Sequence, residues 1–85
     1  MVRINIMNRD EIIEKVNEFL IDEFEIEESA LELDAHLIND LGIESLDFVD
    51  IVVVIEKEFG FKVKREDIKE VRTLNDMYLY IEKHL

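Results

Sequence analysis

The sequence predicts an all-α protein: a small four-helix bundle with three long helices, one short one, and a long loop between the first two. Three observations predict it. The 85 residues include no proline and only two glycines, so little interrupts helical backbone. Apolar residues recur at three- and four-residue spacing in three separate stretches. Each stretch opens at a residue suited to cap a helix: Asn8, Ser45 or Thr73. The length suits a single domain over 1–85, with residues 1–7 as an extended lead-in.

Residues 1–7 alternate loosely, with Val2, Ile4 and Ile6 apolar. Asn8 is the expected N-cap of helix one, and Glu11 completes a capping-box pattern. Met7 and Ile12 stand at the spacing of a hydrophobic staple. Ile12, Ile13, Val16, Phe19 and Leu20 form one helical stripe, which should fade near Phe24. No period holds from Glu25 to Glu44. So long a loop is unusual in a small domain and is often functional. Leu31, Leu33, Leu37, Ile38, Leu41 and Ile43 are expected to pin it to the core, with a short helical turn after Ser29.

Helix two is expected over Ser45 to Phe59, with Gly60 as a left-handed cap. At about 100° per residue, Phe48, Val52, Ile55 and Phe59 form its core face, flanked by Ile51 and Val49. The opposite face carries Asp47, Asp50, Lys57 and Glu58, with Leu46, Val53 and Val54 among them. Aliphatic residues set among acids on an outward face suit a docking patch, although scattered exposed aliphatics are also ordinary. The many β-branched residues lower helix propensity, so tertiary packing must hold this helix. A short helix is expected around Arg65 to Lys69, with Ile68 and Val71 inward. Thr73 caps the last helix, where Leu74, Met77, Tyr78, Ile81 and Leu85 make the buried stripe.

Composition narrows the function. Twenty-two acidic residues against ten basic ones give a net charge of -12. That opposes nucleic-acid binding and favours partners with basic docking surfaces, although acidity alone also serves solubility. With no cysteine there is no disulfide and no thiolate metal site. His36 and His84 are isolated, and the acids near Asp34 lack the spacing of a calcium loop. No nucleophile–base–orienter set or glycine-rich phosphate loop stands out, so the chain reads as a non-enzyme. No apolar run approaches membrane-spanning length, so a soluble cytoplasmic monomer without membrane insertion is expected.

The most informative stretch is Asp40-Leu41-Gly42-Ile43-Glu44-Ser45-Leu46-Asp47. It puts one serine where a loop meets a helix, a position at which the side chain can cap and an attached anion is favoured. On local grounds a plain structural cap explains Ser45 about as well.

The order of features from Leu37 to Leu85 resembles that of acyl carrier proteins: an acidic loop with Asp-Leu-Gly, the serine motif, an acidic helix ending Glu-Lys-Glu-Phe, a short helix, and a last helix after Thr73. Helix one and the long loop fit as well, so only residues 1–7 fall outside. The resemblance implies covalent 4'-phosphopantetheine, derived from coenzyme A, on Ser45, with acyl groups held as thioesters on its thiol. It implies docking through Glu44, Leu46, Asp47, Asp50, Val53 and Val54. The expected partners are a phosphopantetheinyl transferase and acyl-loading or acyl-processing enzymes, such as ketosynthases or acyltransferases with basic patches. Val49, Val53, Ile55, Ile68 and Val71 are expected to line a cleft for the acyl chain. Three departures from the family pattern suggest a specialised fatty-acid, lipid or polyketide carrier. Glu44 replaces the usual aspartate, Lys57 replaces a frequent acid, and Lys62, Lys64 and Arg65 form a basic patch. A peptidyl or aminoacyl carrier, or an unmodified adaptor of the same fold, are the alternatives.

Overall fold

The computed structural model describes residues 8–85. The lead-in at 1–7 and the Met7–Ile12 staple lie outside the described residues. Within them the order is α1 (Arg9–Phe24), a 3-10 turn (Glu28–Ala30), α2 (Ser45–Phe59), α3 (Arg65–Ile68) and α4 (Leu74–His84). The described residues form no strand, only an isolated bridge between His36 and Thr73.

Helix α1 starts as its sequence dictates. Asn8 Oδ1 accepts the Glu11 N–H at 2.9 Å, and Glu11 Oε1 accepts the Asn8 N–H at 3.2 Å. Ile12, Val16, Phe19 and Leu20 are buried, with Ile13 half-buried at the edge of the stripe. The helix ends on Glu25, which adopts the left-handed conformation at φ 54°. A side chain with a Cβ is disfavoured there, and glycine is the usual solution. Glu25→Gly should therefore raise stability by about 0.5–1 kcal/mol after the entropy cost of a new glycine. Urea unfolding with an unchanged m-value would read it.

The core joins the α1 stripe to Ile51, Ile55 and Phe59 of α2 and to Leu74, Met77, Tyr78 and Ile81 of α4. Helices α1 and α4 lie together, tied by the Arg9–Glu82 ion pair at 3.6 Å and by a hydrogen bond from the Tyr78 hydroxyl to Asn17 Oδ1. Burial pushes the Tyr78 phenol up to about 12, against the pull of the Arg9 charge.

The core face of α2 is turned slightly from the predicted one. Ile51 is fully buried rather than flanking, Phe48 and Val52 are half-buried, and Val49 is exposed. The predicted face was centred too far toward Val49. Packing against α1 and α4 draws in the Ile51 side instead. Gly60 takes the left-handed cap at φ 77°, as expected.

The long loop is pinned by fewer side chains than its spacing suggests. Leu37 and Ile43 are buried and Leu31 and Leu41 half-buried, but Leu33 and Ile38 are exposed. Backbone bonds do the remaining work. The Leu37 N–H reaches the Arg72 carbonyl (2.9 Å), Leu74 N–H the Ala35 carbonyl (3.0 Å) and Asn75 N–H the Leu33 carbonyl (2.9 Å). Leu33 is thus held by its carbonyl while its side chain turns outward. Ile26 and Ala35 are buried without having been anticipated. The helical turn includes Ser29 rather than following it.

His36 organises the loop's tight turn. Its Nδ1 accepts the N–H groups of Ile38 and Asn39 at 3.2 Å each, and its own N–H bonds Asp40 Oδ2 at 2.7 Å. No cluster of metal-ligating side chains occurs among the described residues. Helix α3 is a single turn without a buried residue; Ile68 is half-buried and Val71, just beyond it, is buried. Thr73 caps α4 with a complete box, its hydroxyl accepting the Asp76 N–H at 3.1 Å. The backbone bond from Thr73 holds the Asp76 carboxyl below its ordinary range. Leu85 is exposed, because it follows the last helical residue, His84.

Candidate functional site

Ser45 is the first residue of α2, and Glu44, not Ser45, occupies the N-cap position. The capping assigned to the serine from sequence is therefore corrected. Glu44 has the extended backbone of a cap, and Asp47 reaches back to accept its N–H at 3.0 Å. The first bond of the helix, from the Asp47 N–H, runs to the Glu44 carbonyl at 2.9 Å. Ser45 stands one step further on, past the position from which a cap serves the orphan N–H groups. Among the described residues that hydroxyl has no hydrogen-bond partner, and Ser45 is exposed.

Two open depressions meet at this serine. One, of about 410 Å³, is formed by Ile38, Gly42, Ile43, Glu44 and Leu46 beside it. Gly42 turns the chain there with φ 73°, a conformation that strains residues with a Cβ. The other, about 690 Å³, runs from Ser45 over Phe48, Ile68 and Val71 toward α3. It continues into a groove of about 470 Å³ between α2 and α3 that includes Val49, Val52, Val53 and Val63.

The predicted site residues separate by position. Leu46, Val49 and Val53 are 80%, 61% and 56% exposed and lie on one side of α2 with the exposed Asp50. That is a continuous aliphatic strip beside an acid. Asp47 is half-buried and engaged at the helix start. Val54 is half-buried, packed on the core and turned toward the Lys15–Glu58 ion pair (3.1 Å) on the α1 side. Val49, Val53, Ile68 and Val71 line the grooves, but Ile55 lies wholly inside the core and lines neither. Sequence reasoning missed Ile38, Phe48, Val63, Lys69 and Arg72 as groove residues. The usable signal was that α3 is too short to bury a face, which leaves its flanks open. Of the basic patch, only Arg65 lines the grooves.

A helical scaffold that offers one unengaged serine hydroxyl at a helix start, beside an open apolar groove, has the form of a covalent carrier. The comparisons agree. The phosphopantetheine attachment site family matches residues 14–81. An acyl carrier protein of Thermotoga maritima is 42% identical over 78 residues, covering 92% of this chain and 96% of that protein. One from Coprothermobacter proteolyticus is 33% identical over 79 residues, covering 93% and 96%. A solved structure of an acyl carrier protein from Enterococcus faecalis superposes with a TM-score of 0.79 at 26% identity, over 93% of this chain and 100% of that one. The chain belongs to the phosphopantetheine attachment family of acyl carrier proteins, which hold acyl groups on a covalently attached 4'-phosphopantetheine. Carriers of this family work with phosphopantetheinyl transferases and acyl-processing enzymes and are generally not catalysts themselves.

Proposed function

We propose that Ser45 is the residue that carries the arm. Its free, exposed hydroxyl at the first position of α2 is the observation that supports this most directly. The oxygen is accessible to a phosphorus electrophile and gives up no structural bond when it is esterified. When bound, the group supplies a thiol that holds acyl groups as thioesters. The chain's own part is to fix the attachment point, shield the cargo and dock. The Val49, Val53, Ile68 and Val71 side chains form the apolar surface along which an acyl chain would lie, each covered methylene contributing about 0.8 kcal/mol before ordering costs. The chain acts as a single non-catalytic domain, a monomer in the cytoplasm, and serves a specialised acyl pathway. No helix among the described residues is long and apolar enough to cross a membrane.

The test is mass spectrometry after incubation with coenzyme A and a phosphopantetheinyl transferase. One added arm should appear, on the peptide containing Ser45. An arm on Ser29, or none under conditions that load another carrier, would overturn the assignment and favour an unmodified adaptor.

Docking is proposed to use Glu44, Leu46, Asp47, Asp50 and Val53, the strip that surrounds the arm's exit, against basic rims such as those of ketosynthases or acyltransferases. Asp50→Lys is the cleanest probe, since Asp50 is exposed while Asp47 also holds the helix start. It should slow association with a partner several-fold at low salt and much less at high salt, where exposed charges are screened. Stopped-flow association rates across ionic strength would measure it. Rates insensitive to both the charge and the salt would place the interface elsewhere.

A further inference from the structure

Charge around the grooves beside Ser45 is the reverse of the charge of the whole chain. Acids outnumber bases by 22 to 10, yet neither groove between α2 and α3 is lined by a carboxylate. Arg65 and Lys69 line both grooves, and Arg72 joins them in the larger one. Three of the four acids of the same segment lie on its other flank, and the fourth, Glu66, is exposed and lines neither groove. Asp67, Glu70 and Asp76 line a separate depression against α4, and Asp67 accepts the Tyr80 hydroxyl at 2.9 Å. The segment from Arg65 to Asp76 thus turns its three cations toward the serine and Asp67, Glu70 and Asp76 away from it.

The groove cations are also available. The ion pairs among the described residues are Arg9–Glu82 and Lys15–Glu58, and neither involves Arg65, Lys69 or Arg72. Residues 1–7 hold no Asp or Glu side chain that could pair with them. Arg72 is partly committed, since its charge helps hold the Asp76 carboxyl down. Arg65 and Lys69 are the free pair. Beneath them lie Phe48, Ile68 and Val71. An apolar floor with a cationic rim matches a ligand that is apolar along its length and anionic at its end. A methyl-ended chain would cover the floor and leave the cations unused. A chain ending in a carboxylate would use both, through charge-assisted hydrogen bonds to the guanidinium and the ammonium.

We propose that the groove between α2 and α3 selects acyl chains with a terminal carboxylate, with Arg65 and Lys69 as the residues that recognise that end. The inference rests on attachment at Ser45. Its test compares two cargoes of equal length on the same arm, one ending in methyl and one in carboxylate. Because the arm's phosphate is present in both, its own attraction to the cations cancels. Mass spectrometry first verifies loading on Ser45; failure at that step would count against the attachment site and not reach this question. With loading verified, the carboxylate-ended form should melt about 4 °C or more above the methyl-ended form, a shift of the size expected from about 1 kcal/mol in a domain of this length. The difference should shrink as salt is raised. It should vanish in Arg65→Gln/Lys69→Gln, both exposed positions at which the change leaves the free-thiol form folded. Equal melting of the two cargoes, a methyl-ended form that melts higher, or a difference that survives the double substitution would each overturn the proposal.

Discussion

Ser45→Ala is expected to abolish loading completely while leaving the fold as stable as before. No arm should be added by a transferase, and the protein should carry no acyl thioester, because Ser29 lies in the 3-10 turn and the Thr73 hydroxyl, at the start of α4, is engaged as its cap. Stability should stay within about 0.5 kcal/mol of the parent, as for a surface substitution that breaks no bond. A capping serine would behave differently and cost about 0.5–2 kcal/mol on truncation. The structure gives the cap position to Glu44 and the returning bond to Asp47, so the serine is released from structural duty. Intact mass and thermal melting on the same sample separate the two roles. A large drop in melting temperature would return Ser45 to the cap; a full arm on the alanine variant would remove it from the site.

Ile55→Ala should be among the most damaging single changes. Ile55 is fully buried where α2 meets α1 and α4, and truncation there leaves a cavity. The expected loss is about 2–5 kcal/mol, a large part of the stability of a domain this small. Val49→Ala, six residues earlier on the same helix, should change stability by no more than about 0.5 kcal/mol. Chemical denaturation of the two variants would test the contrast. Similar losses at both positions would mean that α2 is rotated relative to the packing described above.

The Ile55–Val49 pair also marks where the sequence was legible. Helix ends could be read because local chemistry decides them: Asn8 with Glu11, Thr73 with Asp76, and Gly60 in its left-handed turn are all settled within a few residues. The family could be read too, since the motif that carries the resemblance is contiguous. The rotation of α2 was harder. Its valines and isoleucines nearly encircle the helix, so periodicity constrained the buried side only loosely. The packing of α1 and α4 chose between close alternatives. The loop was misread for another reason. Leu33 and Ile38 have the composition of anchors, but the segment is fixed by backbone bonds that no side chain announces. The cationic lining of the groove depended on both outcomes. Lys69 and Arg72 come together with Arg65 only once α3 is known to be one turn long and open on its flank.

The three backbone bonds between the long loop and the junction of α3 with α4 have a topological consequence. They close the chain into a ring that runs from Leu37 to Arg72 and contains all of α2, α3 and Ser45. Closing a flexible ring of about 35 residues costs about 3 kcal/mol of chain entropy from its length alone. That cost falls before the contacts that repay it, which makes closure a late event in folding. Helix α2 depends on it, since a run so rich in β-branched residues does not hold a helix without tertiary partners. Ser45 therefore gains its setting at a helix start only when the circuit is complete. With the arm on Ser45 as proposed, an enzyme that recognised the serine by that setting would be blind to the open chain, so modification would sort finished molecules from unfinished ones.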